Sequence, residues 1–279
     1  MIRKVVTLIS FQSVSFTYPR ANAPALRDLT LDVRDGETLA VVGANGSGKS
    51  TMGRLTNGLL VPGQGTVSVD GVETSVVDGR RAARQRVGMV FQNPDSGIVS
   101  SSVEEDVAFA LENQALPRQV IVEKVAYTLD LLGLRALHDA HPLSLTTSDR
   151  ARLGLASAVV GDPRYLIMDE ATAYLDAIDR ARLMQAVQTV RAATGMAVVI
   201  ITHLMDEALA ADRVAVLADG ELVYLGAPRE LFADPRRARA WRLELPPLLA
   251  LRDDLQGLGV DVGPAVTSID AFVEQLCRL

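Results

Sequence analysis

The chain has 279 residues, 48% hydrophobic and 22% charged, a composition that supports a buried core and excludes disordered, collagen-like and peptide-toxin classes. Its 28 basic residues against 34 acidic ones leave a net charge of −6, which argues against a protein built to neutralise a nucleic-acid backbone. A lone cysteine, Cys277, can form no internal disulfide or thiolate cluster, which fits a reducing compartment. In chain order, the opening MIRKVVTLIS carries two cations but runs directly into Phe11, Val14 and Phe16, so no signal peptide is expected. Residues 10–40 and 64–75 alternate at period two with turn signals at Asp35-Gly36 and Asp70-Gly71, which predicts an antiparallel β subdomain.

Apolar, β-branched runs predict buried strands over residues 39–42, 86–91, 165–168, 197–201 and 213–217. Helical spacing lies between them over residues 103–112, 120–132, 149–160, 179–193 and 206–211. Strands alternating with helices predict an α/β fold with a mostly parallel sheet. The stretch 94–160 reads as a helical subdomain inserted into that layer. Within it, Ser101 and Glu104 form a capping box for a helix whose Val103, Val107 and Leu111 share one face. Those residues, with Ile98 and Val99, either line a groove for a membrane partner or pack inside the subdomain.

After Pro235, Arg236, Arg237, Arg239 and Arg242 lead to amphipathic helices predicted over 248–258 and 269–279. The arginines read either as a solvated helix face or as a membrane-surface patch. The expected organisation is a core over 10–240 and a C-terminal helical appendage over 241–279. No apolar run approaches the roughly 20 residues needed to cross a bilayer, so a cytosolic chain is expected.

Chemistry concentrates first in GANGSGKS, residues 43–50, which follows the strand LAVV and precedes a helix-compatible run beginning at Thr51. Glycine in that strand–loop–helix context is the phosphate-loop (P-loop) pattern of nucleotide hydrolases. Gly43, Gly46 and Gly48 permit the backbone angles that turn N–H groups toward a phosphate, with Ala44, Asn45 and Ser47 between them. Lys49 supplies charge to the β- and γ-phosphates, and Ser50 a hydroxyl to Mg²⁺. The strand over 165–168 delivers Asp169 and Glu170 at its end, the first placed for the metal shell and the second for a water attacking the γ-phosphate. The strand over 197–201 presents His203 in the same manner.

The order of these motifs resembles the ABC ATPases, over about residues 10–235. That resemblance implies that Tyr18, in FTYP, stacks on adenine, and that Gln92, ending VGMVFQ, is the Q-loop glutamine that touches Mg²⁺. DEATAYLD, residues 169–176, is similar to the family's strand end and following D-loop, which includes Asp176; Ala171 replaces the usual proline. FQNPD followed by SSSVEEDVAFALEN, together with the tail LPPLLALRDDLQGLG, resembles the energy-coupling-factor importers of vitamins or transition-metal ions. In these an ATPase on the cytoplasmic face works with a second ATPase, an integral membrane permease and a substrate-binding membrane subunit. Glu170 and His203 are then the catalytic pair, and ATP with Mg²⁺ the expected ligands.

Rival readings are a soluble ABC ATPase of translation or DNA repair, and a subunit that binds ATP without hydrolysing it. The chain lacks tandem cassettes or a basic face, and it carries both Glu170 and His203.

Two departures from the family pattern stand out. Ser96 and Gly97 follow FQNPD where Asp or Asn, then Gln, are usual. The signature, normally Leu-Ser-Gly-Gly-Gln at a helix start, is replaced by LTTSD, with Thr146, Thr147, Ser148 and Asp149 in the positions that would face a partner's ATP. A competing register on Leu143-Ser144 would add two residues to the helix and turn it by about 200°. Side-chain bulk and the Asp149 charge imply a weakened signature and hence a different partner chain with an intact one; the neutral alternative has hydroxyls replacing backbone donors and Asp149 capping the helix.

Overall fold

A computed structural model describes residues 7–260 and 269–277. The opening residues 1–6, read above against a signal peptide, and the last two residues of the final predicted helix lie outside the described residues. The chain begins with β1 (Thr7–Phe16), β2 (Leu26–Arg34), β3 (Thr38–Val42), α1 (Lys49–Thr56), β4 (Gln64–Val69), β5 (Val72–Glu73), α2 (Val77–Arg86) and β6 (Val87–Val90). Then come α3 (Val103–Glu112), α4 (Arg118–Leu131), α5 (Thr147–Val159), β7 (Tyr165–Asp169), α6 (Ala177–Thr194), β8 (Ala197–Ile201), α7 (Met205–Leu209), β9 (Arg213–Ala218) and β10 (Glu221–Gly226). Among the described residues that follow, the helices are α8 (Pro228–Phe232), α9 (Pro235–Ala240), α10 (Pro247–Gly257) and α11 (Ile269–Leu276).

Two sheets form. One is antiparallel, in the order β2-β1-β4-β5. The other runs β10-β9-β3-β8-β7-β6, parallel throughout except for β10 on β9. Strands β3, β7 and β8 are buried at every position, as expected of apolar runs covered on both faces. The two turn signals do different things. Asp70-Gly71, with φ +50 and +76, closes the two-residue β4–β5 hairpin, whereas Asp35-Gly36 passes the chain from one sheet to the other.

One apolar cluster joins the antiparallel sheet to a face of the parallel one through Phe11, Leu29, Leu55 and Ile167. A second unites the inserted helices with the opposite side of β7 and β8. The third carries Val42, Val214, Phe232, Ala238 and Leu243, with Trp241 and Leu249 against it, so packing continues across residue 240.

One detail departs from the sequence reading, and one alternative left open there is decided. The α3 cap is Ser102, whose Oγ accepts the Glu105 N–H, one residue beyond the Ser101–Glu104 box; Ser101 instead donates its hydroxyl to the Glu105 carboxylate at 2.8 Å. The shift follows from Asp106, buried, whose Oδ1 takes the N–H groups of Val99 (2.7 Å) and Ser100 (3.1 Å) and bends the approach to the helix. Val103, Val107 and Leu111 are fully buried in the helical subdomain core and line no groove. The groove beside them is lined by Ile98, Val99, Phe109 and Ala110, closing toward Val90 and Gly154, with a volume of about 250 Å³.

Candidate nucleotide site

The loop from Gly43 to Gly48 leaves the buried C-terminal end of β3 and enters α1, whose first residue is Lys49. Gly48 sits at φ +102 as the residue before the helix, and a Cβ there would stand 2.5 Å from the Ala25 carbonyl oxygen. Gly46, at φ +81, would project a Cβ into open space. That open side is a cradle bounded by Tyr18, Ala25, Asn45 to Thr51, Gln92 and Glu170. Ser47 Oγ is buried there with no hydrogen-bond partner, a donor awaiting an acceptor.

Lys49 is 4% exposed and spends its ammonium on the carbonyls of Gly43 (2.8 Å) and Ala44 (3.0 Å). Burial pushes its pKa below the ordinary lysine value, against the opposing pull of Glu170 and Asp169. Ser50 donates its hydroxyl to Asp169 Oδ1 at 2.8 Å. Burial raises the Asp169 pKa, while the Ser50 hydrogen bond, Arg54 and Lys49 draw it back. A buried oxygen pair of this kind suits a hard divalent cation, which would relieve the cost of keeping the carboxylate charged.

Glu170 closes the site from the end of β7. Its backbone lies in the left-handed region at φ +51, held by its N–H on the Ile201 carbonyl at 2.9 Å. Such a conformation persists in a non-glycine residue only where its surroundings impose it. Gln92 Nε2 donates to Glu170 Oε2 at 2.8 Å, and His203 Nδ1 stands 3.8 Å from the same oxygen. Tyr18 packs edge-on against Phe16, and its hydroxyl pairs with Thr51 Oγ1 at 3.2 Å.

The structure thus brings Tyr18, the loop residues, Gln92, Asp169, Glu170 and His203 together. Gln92 meets Glu170 rather than the Ser50–Asp169 pair. Asp176 and the signature residues do not line this cradle. Asp176 caps α6, accepting from Ile178 and Asp179 N–H. Helix α5 opens at Thr147 with Thr146 as its cap, a start that falls within LTTSD rather than at Leu143-Ser144, which forms a separate 3-10 turn, Pro142–Ser144. Thr146 Oγ1 accepts the Asp149 N–H and donates to Asp149 Oδ2, so Asp149 is the partner of the cap rather than the cap itself. Arg152 closes on the other Asp149 oxygen.

Sequence patterns gave no sign of Arg54, which bears on Asp169, or of the buried Thr172–Glu207 hydrogen bond at 2.7 Å behind Glu170. The only available signal for Glu207 was its place four residues after His203 in a helix-compatible run.

Comparison with known proteins agrees with this geometry. The family described as ABC transporter matches residues 26–173. The chain is 44% identical to the energy-coupling factor transporter ATP-binding protein EcfA1 of Symbiobacterium thermophilum, over 96% of each chain. It is 38% identical to the EcfA of Syntrophomonas wolfei, over 97% of this chain and 99% of that one. Among solved structures, cbiO1 of Clostridium perfringens, part of the ABC transporter complex cbiONQ, superposes with a TM-score of 0.76 at 30% identity, covering 88% of this chain and 99% of that one. A dimeric ATP-binding cassette in a post-hydrolysis state, bound to ADP and Pi, matches at TM-score 0.72 and 25% identity, covering 79% and 99%. On this near full-length likeness, the chain belongs to the ABC transporter family and, within it, to the energy-coupling-factor transporter ATP-binding proteins.

Proposed function

We propose that this chain is the ATP-hydrolysing subunit of an energy-coupling-factor-type importer, seated on the cytoplasmic face of the membrane and powering uptake of a vitamin or transition-metal ion. The observation that carries the reading is the meeting of Lys49, the Ser50–Asp169 pair and the Gln92–Glu170–His203 chain at one glycine-walled cradle. Residues 43–51 surround the phosphates, and Tyr18 receives adenine. Ser50, Gln92 and Asp169 would hold Mg²⁺, which would withdraw charge from the phosphoryl oxygens.

Lys49 turns from the Gly43 and Ala44 carbonyls toward the phosphate oxygens. Glu170 takes the proton of the attacking water while His203 orients the γ-phosphoryl group. The water oxygen bonds to phosphorus as the bond to the bridging oxygen of ADP breaks, leaving ADP and phosphate. Residues 10–240 act as the nucleotide-binding domain, with the helical subdomain over 94–160, and 241–279 as the appendage.

Among the described residues no helix is long and apolar enough to cross a membrane. The partners are an integral permease, a membrane subunit that binds the solute, and a second ABC ATPase. The closed Thr146–Asp149–Arg152 arrangement supports a second ATPase different from this chain. An open helix N-terminus attracts anions, whereas here a carboxylate occupies the first turn and two of its bonds are already made. Each chain's signature faces the other's ATP, so this chain weakens its partner's site and depends on its partner's signature for its own.

The test is Glu170→Gln in the assembled complex. The amide keeps the size of the side chain and removes its basicity, so Mg-ATP still binds while turnover falls about 10²- to 10⁴-fold. Wild-type turnover in that variant rejects the assignment.

A further inference from the structure

The segments that carry Glu170 and His203 are joined behind the site by two side chains that hold no nucleotide. Thr172 lies two residues beyond Glu170, and its Oγ1 donates to Glu207 Oε1 at 2.7 Å. Both residues are enclosed, at 3% and 7% exposure. The Ala173 N–H reaches the Glu170 carbonyl at 3.0 Å and the Leu175 N–H the Thr172 carbonyl at 3.1 Å, so Thr172 belongs to the turn that Glu170 begins. Glu207 sits on α7, four residues after His203. That helix is fastened independently: Met205 and Ala208 are buried with Ala40 and Val42, and the Leu204 N–H donates to Thr202 Oγ1 at 3.0 Å. The Thr172–Glu207 bond therefore ties the turn after Glu170 to a short helix already anchored on β3 and β9.

Packing does not explain a glutamate at this place. Its second oxygen, Oε2, is buried without a hydrogen-bond partner, which costs free energy that an apolar side chain of similar length would not incur. The gain lies in what the bond fixes. Glu170 is held at φ +51, and its carboxylate stands 3.8 Å from His203 only while the turn after it and the helix after His203 keep their relation.

We infer that Glu207 is a positioning residue for hydrolysis, acting through Thr172 to hold the Glu170 carboxylate and the His203 imidazole at a fixed separation. The inference rests on the reading that these two groups act on the attacking water and the γ-phosphate.

Steady-state ATPase kinetics of the complete transporter test it. Thr172→Val, equal in volume but lacking the donor, and Glu207→Ala lower kcat about ten- to a hundredfold, the scale of a small misplacement at a reacting centre, with KM for ATP nearly unchanged. Thr172→Ser and Glu207→Gln, which keep the donor and the acceptor, recover most of kcat. The double variant Thr172→Val/Glu207→Ala is no slower than the worse single, because both break one bond. Should Glu207→Ala fail to fold, Thr172→Val alone decides.

Wild-type kcat in Thr172→Val, or a fall in melting temperature with kcat and nucleotide affinity lost together, overturns the inference. Glu170→Gln run in parallel separates the two claims. Turnover lost there but kept in Thr172→Val sinks only the positioning role, whereas turnover kept in Glu170→Gln sinks the reading beneath it.

Discussion

At the scale of single residues, the phosphate loop makes a prediction that separates two glycines of one motif. Both have positive φ, but Gly48 also lies against the Ala25 carbonyl while Gly46 faces open space. Gly48→Ala meets strain and a backbone clash together and lowers stability by about 1–3 kcal/mol, read as a fall in melting temperature. Gly46→Ala meets the strain of φ +81 without the clash, so it costs about 1 kcal/mol and less than Gly48→Ala, but it adds a methyl group at the cradle and so weakens ATP binding in a titration. Equal melting temperatures for the two variants would contradict the geometry. The motif GANGSGKS was legible because its residues adjoin in sequence. Thr172 and Glu207, 35 positions apart, were not, since nothing in either local pattern marks a hydrogen bond that only the docking of α7 creates.

Among the elements, the five parallel strands were legible from their apolar, β-branched runs, most plainly β3, β7 and β8, which are buried at every position and have no polar side to confuse the pattern; β10, partly exposed along its length, was not read as a strand. Helix α2 was not. Its sequence VDGRRAARQR buries only Gly79 and Ala83, so it carries no apolar stripe, and the Arg86 read as the start of a strand is its last residue. The face of α3 was read correctly as a face, but the structure turns it inward and leaves Ile98 and Val99 at the groove.

Val99 is 59% exposed, and its backbone is held by the buried Asp106 carboxylate. Charged replacements at Ile98 and Val99 are expected to release the ATPase from the permease while ATP affinity stays unchanged, as read by co-purification and nucleotide titration. Asp106→Ala strips two backbone donors of their acceptor and costs about 1–3 kcal/mol, which a denaturant melt would record. Unaltered co-purification in the charged variants removes the groove from the account.

For the molecule as a whole, the proposed arrangement has the cradle and the signature helix of one chain serve different nucleotides, and in this chain the two differ in their local bonding. The cradle keeps its lysine, the Ser50–Asp169 oxygen pair and the carboxylate–imidazole contact, whereas at the start of α5 Asp149 is bound by both Thr146 and Arg152. On that proposal the productive ATP is the one seated on this chain's phosphate loop and completed by a different ATPase. Purified as a homodimer, this chain binds ATP at both loops but hydrolyses it slowly.

The deciding measurement is transport and ATP turnover in the assembled complex with the phosphate-loop lysine replaced on one side at a time. Lys49→Ala in this chain is expected to abolish both activities, and the matching change in the partner to do less damage. Greater sensitivity on the partner's side, or full activity from a homodimer of this chain, would contradict the account.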